Sequence, residues 1–184
     1  MKRLFDLVIA LPATVLLALP MALVALAIWA EDGRPVLFGQ TRVGLGGRPF
    51  RVLKFRSMVI NAERLGPQRT AQADVRITRI GRVLRRTSLD ELPQLINVVR
   101  GDMSLVGPRP DVPAQQGDYA PADWTLRCSV RPGMTGLAQA LYRSRATPAQ
   151  RLEADLDYVH HHDLLRDLRI LALTVGQLFK RSGN

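Results

Sequence analysis

Between Leu7 and Ala30 the chain shows no alternation of apolar and polar positions, only an uncharged run, "LVIALPATVLLALPMALVALAIWA". At about 1.5 Å of rise per residue, a helix of that length reaches across the hydrocarbon core of a bilayer. Pro20, near the middle, cannot donate to the carbonyl of Leu16, and its ring pushes the preceding turn apart. A bend or break is therefore predicted there, with Pro12 a weaker kink. Thr14 is a candidate to satisfy carbonyls that the prolines free. Three arrangements fit: a cleaved leader, a kinked spanning helix, or a segment that enters the bilayer, turns at Pro20 and returns to the same face.

Beyond Glu31-Asp32-Gly33 the pattern changes. "PVLFGQTRVGLGGRPFRVLKF" (35–55) predicts two short strands around a turn at Gly44–Gly47. Residues 59–75 are polar and predict a helix plus loop. In "RITRIGRVLRR" (76–86), Ile77, Ile80 and Leu84 recur at helical spacing with arginines around them, a basic amphipathic helix suited to a lipid surface or to plain solvation. "LDELPQLINVV" sets Leu89, Leu92, Ile96 and Val99 on one helical stripe, while "GDMSLVGPRP" and "RPGMTGLAQ" read as loops punctuated by glycine and proline. The stretch 164–179 is helical, amphipathic at first, and uncharged for too few residues to span. It is expected to pack on the body or at the interface.

Composition sharpens this outline. The 184 residues suit one core. The formal net charge is +10, and only Lys2, Lys54 and Lys180 are lysines. Arginine's planar fork matches phosphate oxygens in pairs, although genomic base composition also raises arginine content. Lys2 and Arg3 precede the apolar run, and Arg34, Arg42, Arg48 and Arg51 follow it, so both flanks prefer the cytoplasmic side. That favours the returning segment over a simple crossing. The single cysteine, Cys128, excludes an internal disulfide and reads as core packing. His160, His161 and His162 are consecutive, so on a helix they diverge by about 100° and do not converge on one metal.

The stretch "RRTSLDELPQL" (85–95) carries the candidate chemistry. Ser88 and Glu91 have the spacing of a capping box, which needs no reaction at all. Pro93 weakens that reading, because it would fall at the fifth helical residue, where a missing N–H breaks a bond. A helix beginning near Asp90 would accommodate Pro93 and set Asp90 at the positive helix end. Both readings stand on local physics. Lys54 and Arg56 in "KFRSM", Arg85 of the same stretch, Arg109 between Pro108 and Pro110, and Arg131 before Pro132-Gly133 are candidate phosphate groups. The glycine there would let backbone N–H groups approach a ligand. No Walker loop is present. A nucleic-acid binder would use the positive charge, but it gives Asp90-Glu91-Leu92-Pro93 no role, so no nucleic acid is expected.

Taken together, "KRLFDL", "GQTRVGLGGRPFRVLKFRSM", "RITRIGRVLRRTSLDELPQLINVVRGDMSLVGPRP", "RPGMTGLAQ" and "DLDYV…DLRILALTV" resemble the bacterial sugar transferases, the monotopic phosphoglycosyl transferases. The resemblance covers nearly the whole chain and looks like the minimal form. It implies an α/β fold, mostly helical with a small β-hairpin. Residues 1–30 would be a re-entrant membrane anchor broken at Pro20, and 31–184 a cytosolic catalytic domain with interfacial amphipathic helices. The serine often beside the hairpin proline is Leu19 here. By the same resemblance Asp90 is the nucleophile, Glu91 its partner and a Mg²⁺ ligand, and Arg109 the centre of the Pro-Arg-Pro motif. The implied partners are a UDP-sugar, membrane polyprenyl phosphate and lipid, at the cytoplasmic face of the bacterial inner membrane; self-association stays open. The segment after Gln139 and the "YVHHH" run depart from the family pattern, which bears on the sugar, with Arg143 a candidate for the arginine common there.

Overall fold

The computed structural model describes residues 1–62, 65–66 and 74–181, so most of the stretch 59–75 lies outside the described residues. Helices α1 (Lys2–Leu16) and α2 (Ala18–Asp32) form a pair bent by 56°. Among the described residues no single helix is long and apolar enough to cross a membrane, whereas this bent pair qualifies by length and composition. The break falls at Leu17, with φ −89° and ψ 0°, three residues before Pro20. This corrects the expected position and follows from proline's chemistry. The clash and the lost bond act on the carbonyl one turn upstream, at Leu16. Pro20 itself sits in the first turn of α2, where N–H groups have no helical partner anyway. The ladder resumes with Met21 N–H donating to Leu17 O at 2.8 Å. Pro12 stays inside α1. Thr14 Oγ1 donates to Ala10 O at 2.7 Å, a carbonyl that neither proline frees.

Both ends of the pair are fastened to one body. Lys2 Nζ meets Asp167 Oδ2 at 2.6 Å and Val106 O at 3.1 Å. Arg3 donates to Val98 O and Val99 O, satisfying the end of α4 (Gln94–Arg100), and buried Asp6 accepts from Ser104 Oγ and Leu105 N–H. At the other end, Glu31 accepts from the Arg79 and Ile80 N–H groups at 2.8 and 3.0 Å. Those amides open α3 (Arg79–Thr87) and lack partners within the helix. Arg56 donates to the Asp32 and Gly33 carbonyls at 2.8 and 3.0 Å. Between these fastenings the outer surface is apolar: Val15, Leu16, Leu19 and Leu23 are 59–77% exposed. Such a surface suits lipid, and the pair is consistent with a re-entrant membrane segment.

Strands β1 (Leu37–Val43) and β2 (Pro49–Phe55) form the expected antiparallel hairpin, with Leu37 opposite Phe55 and Val43 opposite Pro49. Phe55 joins Ile28 of α2 and Leu84 of α3 in one buried cluster. Val52, Leu95, Val98, Met103, Val106 and Tyr158 belong to the main core, which also takes in Ala10 of α1. The amphipathic helix begins at Arg79 because the Thr78 side chain caps it, accepting from Gly81 N–H at 2.9 Å.

Two segments read as loops are strands. β3 (Ser104–Val106) pairs in parallel with β4 (Gly133–Thr135). Their glycines permit backbone contact: a Cβ on Gly133 would lie 2.1 Å from Gly107 N, and one on Gly136 2.3 Å from Gly107 O. Gly133 N–H donates to Pro108 O at 2.9 Å, so this glycine serves close packing, not an open ligand contact. Helices α5 (Pro121–Arg127), α6 (Leu137–Tyr142), α7 (Pro148–His161) and α8 (Leu164–Arg181) complete the body. Cys128 is buried beside Val43 and Trp124. The Nδ1 atoms of His160, His161 and His162 lie 2.9–3.1 Å from backbone carbonyls of α7.

Candidate active site

Ser88 adopts the left-handed conformation, φ 61° and ψ 16°, and ends α3 with no side-chain cap bond. Leu89–Glu91 then forms a single 3₁₀ turn, Pro93 follows it, and α4 begins at Gln94. Neither local reading of the acidic stretch holds as stated. The capping box does not form, and Asp90 precedes the α-helix by four residues. The tight turn also shifts the phase of the apolar stripe, so Leu95 and Val98 are the most buried apolar residues of α4, with Val99 at its edge.

The turn sets both carboxylates on the wall of a cleft of about 1440 Å³ between the hairpin, α3 and α7. Lys54 projects into it from β2, while the next residue, Phe55, faces the core, as strand alternation requires. Lys54 Nζ lies 2.6 Å from Glu91 Oε1, and Arg109 NH2 donates to the same oxygen at 3.1 Å. Burial opposes ionisation of Glu91, but the Arg109 and Lys54 charges outweigh it and bring the carboxyl down to about 2. Asp90 behaves in the opposite sense. Burial is the largest influence and pushes its carboxyl above the ordinary aspartate range, and Lys54 and Arg85 offset this only in part. Burial likewise holds the Lys54 ammonium below its usual value despite Glu91.

The other candidates divide. Arg85 lines the cleft and its Nε donates to Ser57 Oγ at 2.8 Å. Arg56 also lines it, but one of its nitrogens holds the end of α2, and Nε and NH1 are buried with no hydrogen-bond partner among the described residues. Arg131 is not part of the cleft wall; its Nε donates to Gly101 O at 2.9 Å. Pro20 stands apart, in α2.

Sequence reasoning missed the group beneath Arg109. Arg127 bridges Asp111 Oδ2 at 2.6 Å and Asp155 Oδ2 at 2.8 Å and donates to Arg109 O. Arg151 reaches Asp111 Oδ1 at 2.5 Å, and Tyr119 OH donates to Asp111 Oδ2 at 2.7 Å. Buried ion pairs are weak evidence of added stability, because desolvation offsets much of their attraction. Here they hold the backbone of the Pro108–Pro110 turn. The four-residue spacing of Arg151 and Asp155 on α7 was the one local signal.

Among the described residues no group of three or more His, Cys, Asp or Glu side chains gathers to hold a metal. Glu91 Oε2 makes no hydrogen bond to them. One or two carboxylates completed by substrate phosphates and water suit Mg²⁺, so Glu91, with Asp90 adjacent, fits that ion.

A carboxylate without a direct cationic clamp among the described residues, beside a second one held by two cations, in a basic cleft joined to a lipid-suited helix pair, defines a membrane-associated site for anionic substrates. The bacterial sugar transferase family matches residues 1–181, and this chain belongs to it. The UDP-glucose:undecaprenyl-phosphate glucose-1-phosphate transferase of Caulobacter vibrioides is 46% identical over 184 residues, covering 96% of this chain and 69% of that protein. The UDP-galactose-lipid carrier transferase of Erwinia amylovora is 44% identical, with 100% and 41% covered. An Aeromonas hydrophila UDP-N-acetylgalactosamine-undecaprenyl-phosphate N-acetylgalactosaminephosphotransferase is 40% identical, with 99% and 44% covered. The chain thus spans less than half the length of the latter two. The names of these three proteins carry three different sugars at similar identity, so overall identity does not select one.

Proposed function

We propose that this chain transfers a sugar-1-phosphate from a UDP-sugar to membrane polyprenyl (undecaprenyl) phosphate, releasing UMP and beginning polysaccharide or glycoconjugate assembly. The observation that carries the reading is the contrast at the cleft wall. Burial raises the Asp90 carboxyl, which has no direct cationic clamp among the described residues, and Glu91 beside it is tied to Lys54 and Arg109.

In this mechanism an Asp90 carboxylate oxygen attacks the phosphorus that bears the sugar. The bond from that phosphorus to the bridging oxygen breaks, and UMP departs with the electron pair. An oxygen of polyprenyl phosphate then attacks the same phosphorus, the bond to Asp90 breaks, and the carboxylate is regenerated. A carboxylate of raised proton affinity is the stronger nucleophile, and two steps spare the site from holding two polyanions face to face. Lys54 and Arg109, kept in place by ionised Glu91, lie where charge develops on the phosphates. Arg85 stands on the Asp90 side. Mg²⁺, when bound through Glu91, would supply Lewis-acid charge stabilisation at a phosphate oxygen.

The bent pair, residues 1–30 in this reading, anchors the body of residues 31–184 at the headgroup level, where the acceptor phosphate lies. Because Lys2, Arg3, Glu31 and Arg56 fasten both ends of the pair to that body, the reading puts both ends on the cytoplasmic face of the inner membrane. One experiment tests reaction and orientation together. Inverted membrane vesicles containing the protein are supplied with polyprenyl phosphate, Mg²⁺ and a panel of UDP-sugars, which do not cross the bilayer. UMP release with one or a few sugars is expected, and none from intact right-side-out vesicles. No release with any sugar would overturn the reaction; release from right-side-out vesicles alone would overturn the orientation.

A further inference from the structure

The cleft extends past Glu91 to a second group of cations that the two steps above do not use in full. Arg42 on β1, Arg109 and Arg151 at the start of α7 all line it. They converge on one turn. Arg42 NH1 donates to Pro110 O at 3.0 Å, and Arg151 NH2 donates to Arg109 O at 3.3 Å and to Asp111 Oδ1 at 2.5 Å. Gln40 Oε1 orients Arg42 by accepting from its Nε and NH2 at 3.1 and 2.6 Å. After these bonds, Arg109 Nε and NH1 and Arg151 NH1 make no hydrogen bond to the described residues.

The charges here do not cancel. Arg42, Lys54, Arg109, Arg127 and Arg151 face Glu91, Asp111 and Asp155, each already shared between two cations. Burial, and then the neighbouring Arg109 charge, hold the Arg42 guanidinium below its usual value, a cost that an added anion would relieve. Two positive charges in excess match the roughly two negative charges of a phosphate monoester at neutral pH.

Resting on the transferase reading above, we propose that Arg42, Arg109 and Arg151 form the subsite for the nucleotide phosphate of the donor, the group that leaves as UMP. The contacts support the assignment: Glu91, next to Asp90 in the chain, shares Oε1 between Lys54 and Arg109, and the Arg109 turn in turn carries Arg42 and Arg151. A phosphate attacked at Asp90 therefore has its neighbouring phosphate on the Arg109 side. Planar, backbone-anchored guanidiniums bind such a group bidentately with little ordering to do. Lipid phosphate shares this chemistry, so the test separates the two sources.

In detergent-solubilised full-length protein, UMP binding and the KM for polyprenyl phosphate are measured for wild type, Arg151→Gln and Arg151→Lys. The expected result is UMP affinity at least about tenfold weaker in Arg151→Gln, partly recovered in Arg151→Lys, with the KM for polyprenyl phosphate within about twofold. Unchanged UMP affinity in Arg151→Gln, or a rise confined to the lipid KM, overturns the subsite. Should that variant fail to fold, wild-type protein decides: UMP, and not polyprenyl phosphate, should slow labelling of Arg151 by an arginine-selective dicarbonyl. Equal labelling rates with and without UMP overturn it. A wild-type chain that releases no UMP from any donor removes the transferase reading itself, whereas release with an unaffected Arg151→Gln removes only the subsite.

Discussion

Asp90 and Glu91 are adjacent on one 3₁₀ turn, yet the two sides of the cleft treat a carboxylate in opposite ways. On the Glu91 side two cations contact one oxygen and hold the group ionised down to about 2. On the Asp90 side the cations act through space, burial prevails, and proton affinity rises. The lesson is one of division of labour. A carboxylate with one oxygen clamped by two cations is a poor nucleophile but a good fastener, and a neighbour without such bonds to the described residues keeps its reactive lone pairs.

The largest way to break this comparison is Asp90→Asn, which keeps the shape and removes the nucleophile. Steady-state UMP release should fall by at least about 10³-fold, with the melting temperature close to that of wild type. Lys54→Met tests how the two sides communicate. Lys54 lowers the Asp90 carboxyl and is hydrogen-bonded to Glu91. Without it Asp90 should ionise only at higher pH, so the acidic limb of the kcat/KM profile should move upward; a limb that stays or moves downward breaks the comparison. The smallest effect concerns stability. The Glu91 carboxyl is depressed in the folded chain, so its pairing stabilises fully above the unfolded value, near pH 4.5, and is lost as pH falls toward 2. Denaturant unfolding should show a decline in that window that is shallower in Glu91→Gln.

The parts legible in the sequence are those encoded locally. Two short stretches around clustered glycines marked the β1–β2 hairpin, and an uncharged run around Pro20 marked a broken apolar pair. The break shifted to Leu17 because proline disturbs the turn before it. β3 and β4 escaped because strands of three residues are too short to show alternation and their ladder joins residues far apart in sequence. Lys54 and Arg109 were legible as candidate phosphate groups from their local sequence, and their shared grip on one Glu91 oxygen required coordinates. Asp155 opens the quoted "DLDYV" stretch, but nothing in the sequence pairs it with Arg127 or Asp111; only folding brings the three beneath the Pro-Arg-Pro turn. Arg131 looked like its neighbours on paper, yet its guanidinium serves the Gly101 carbonyl.

The claim at the centre is a phosphosugar carried on one carboxylate. Its most direct test is the intact mass of the protein after mixing with the active UDP-sugar and Mg²⁺ in the absence of polyprenyl phosphate. The account predicts a gain equal to one sugar phosphate, mapped to Asp90 by peptide sequencing and discharged when the lipid acceptor is added. A protein that turns over with acceptor but never gains that mass, or gains it at another residue, would contradict it.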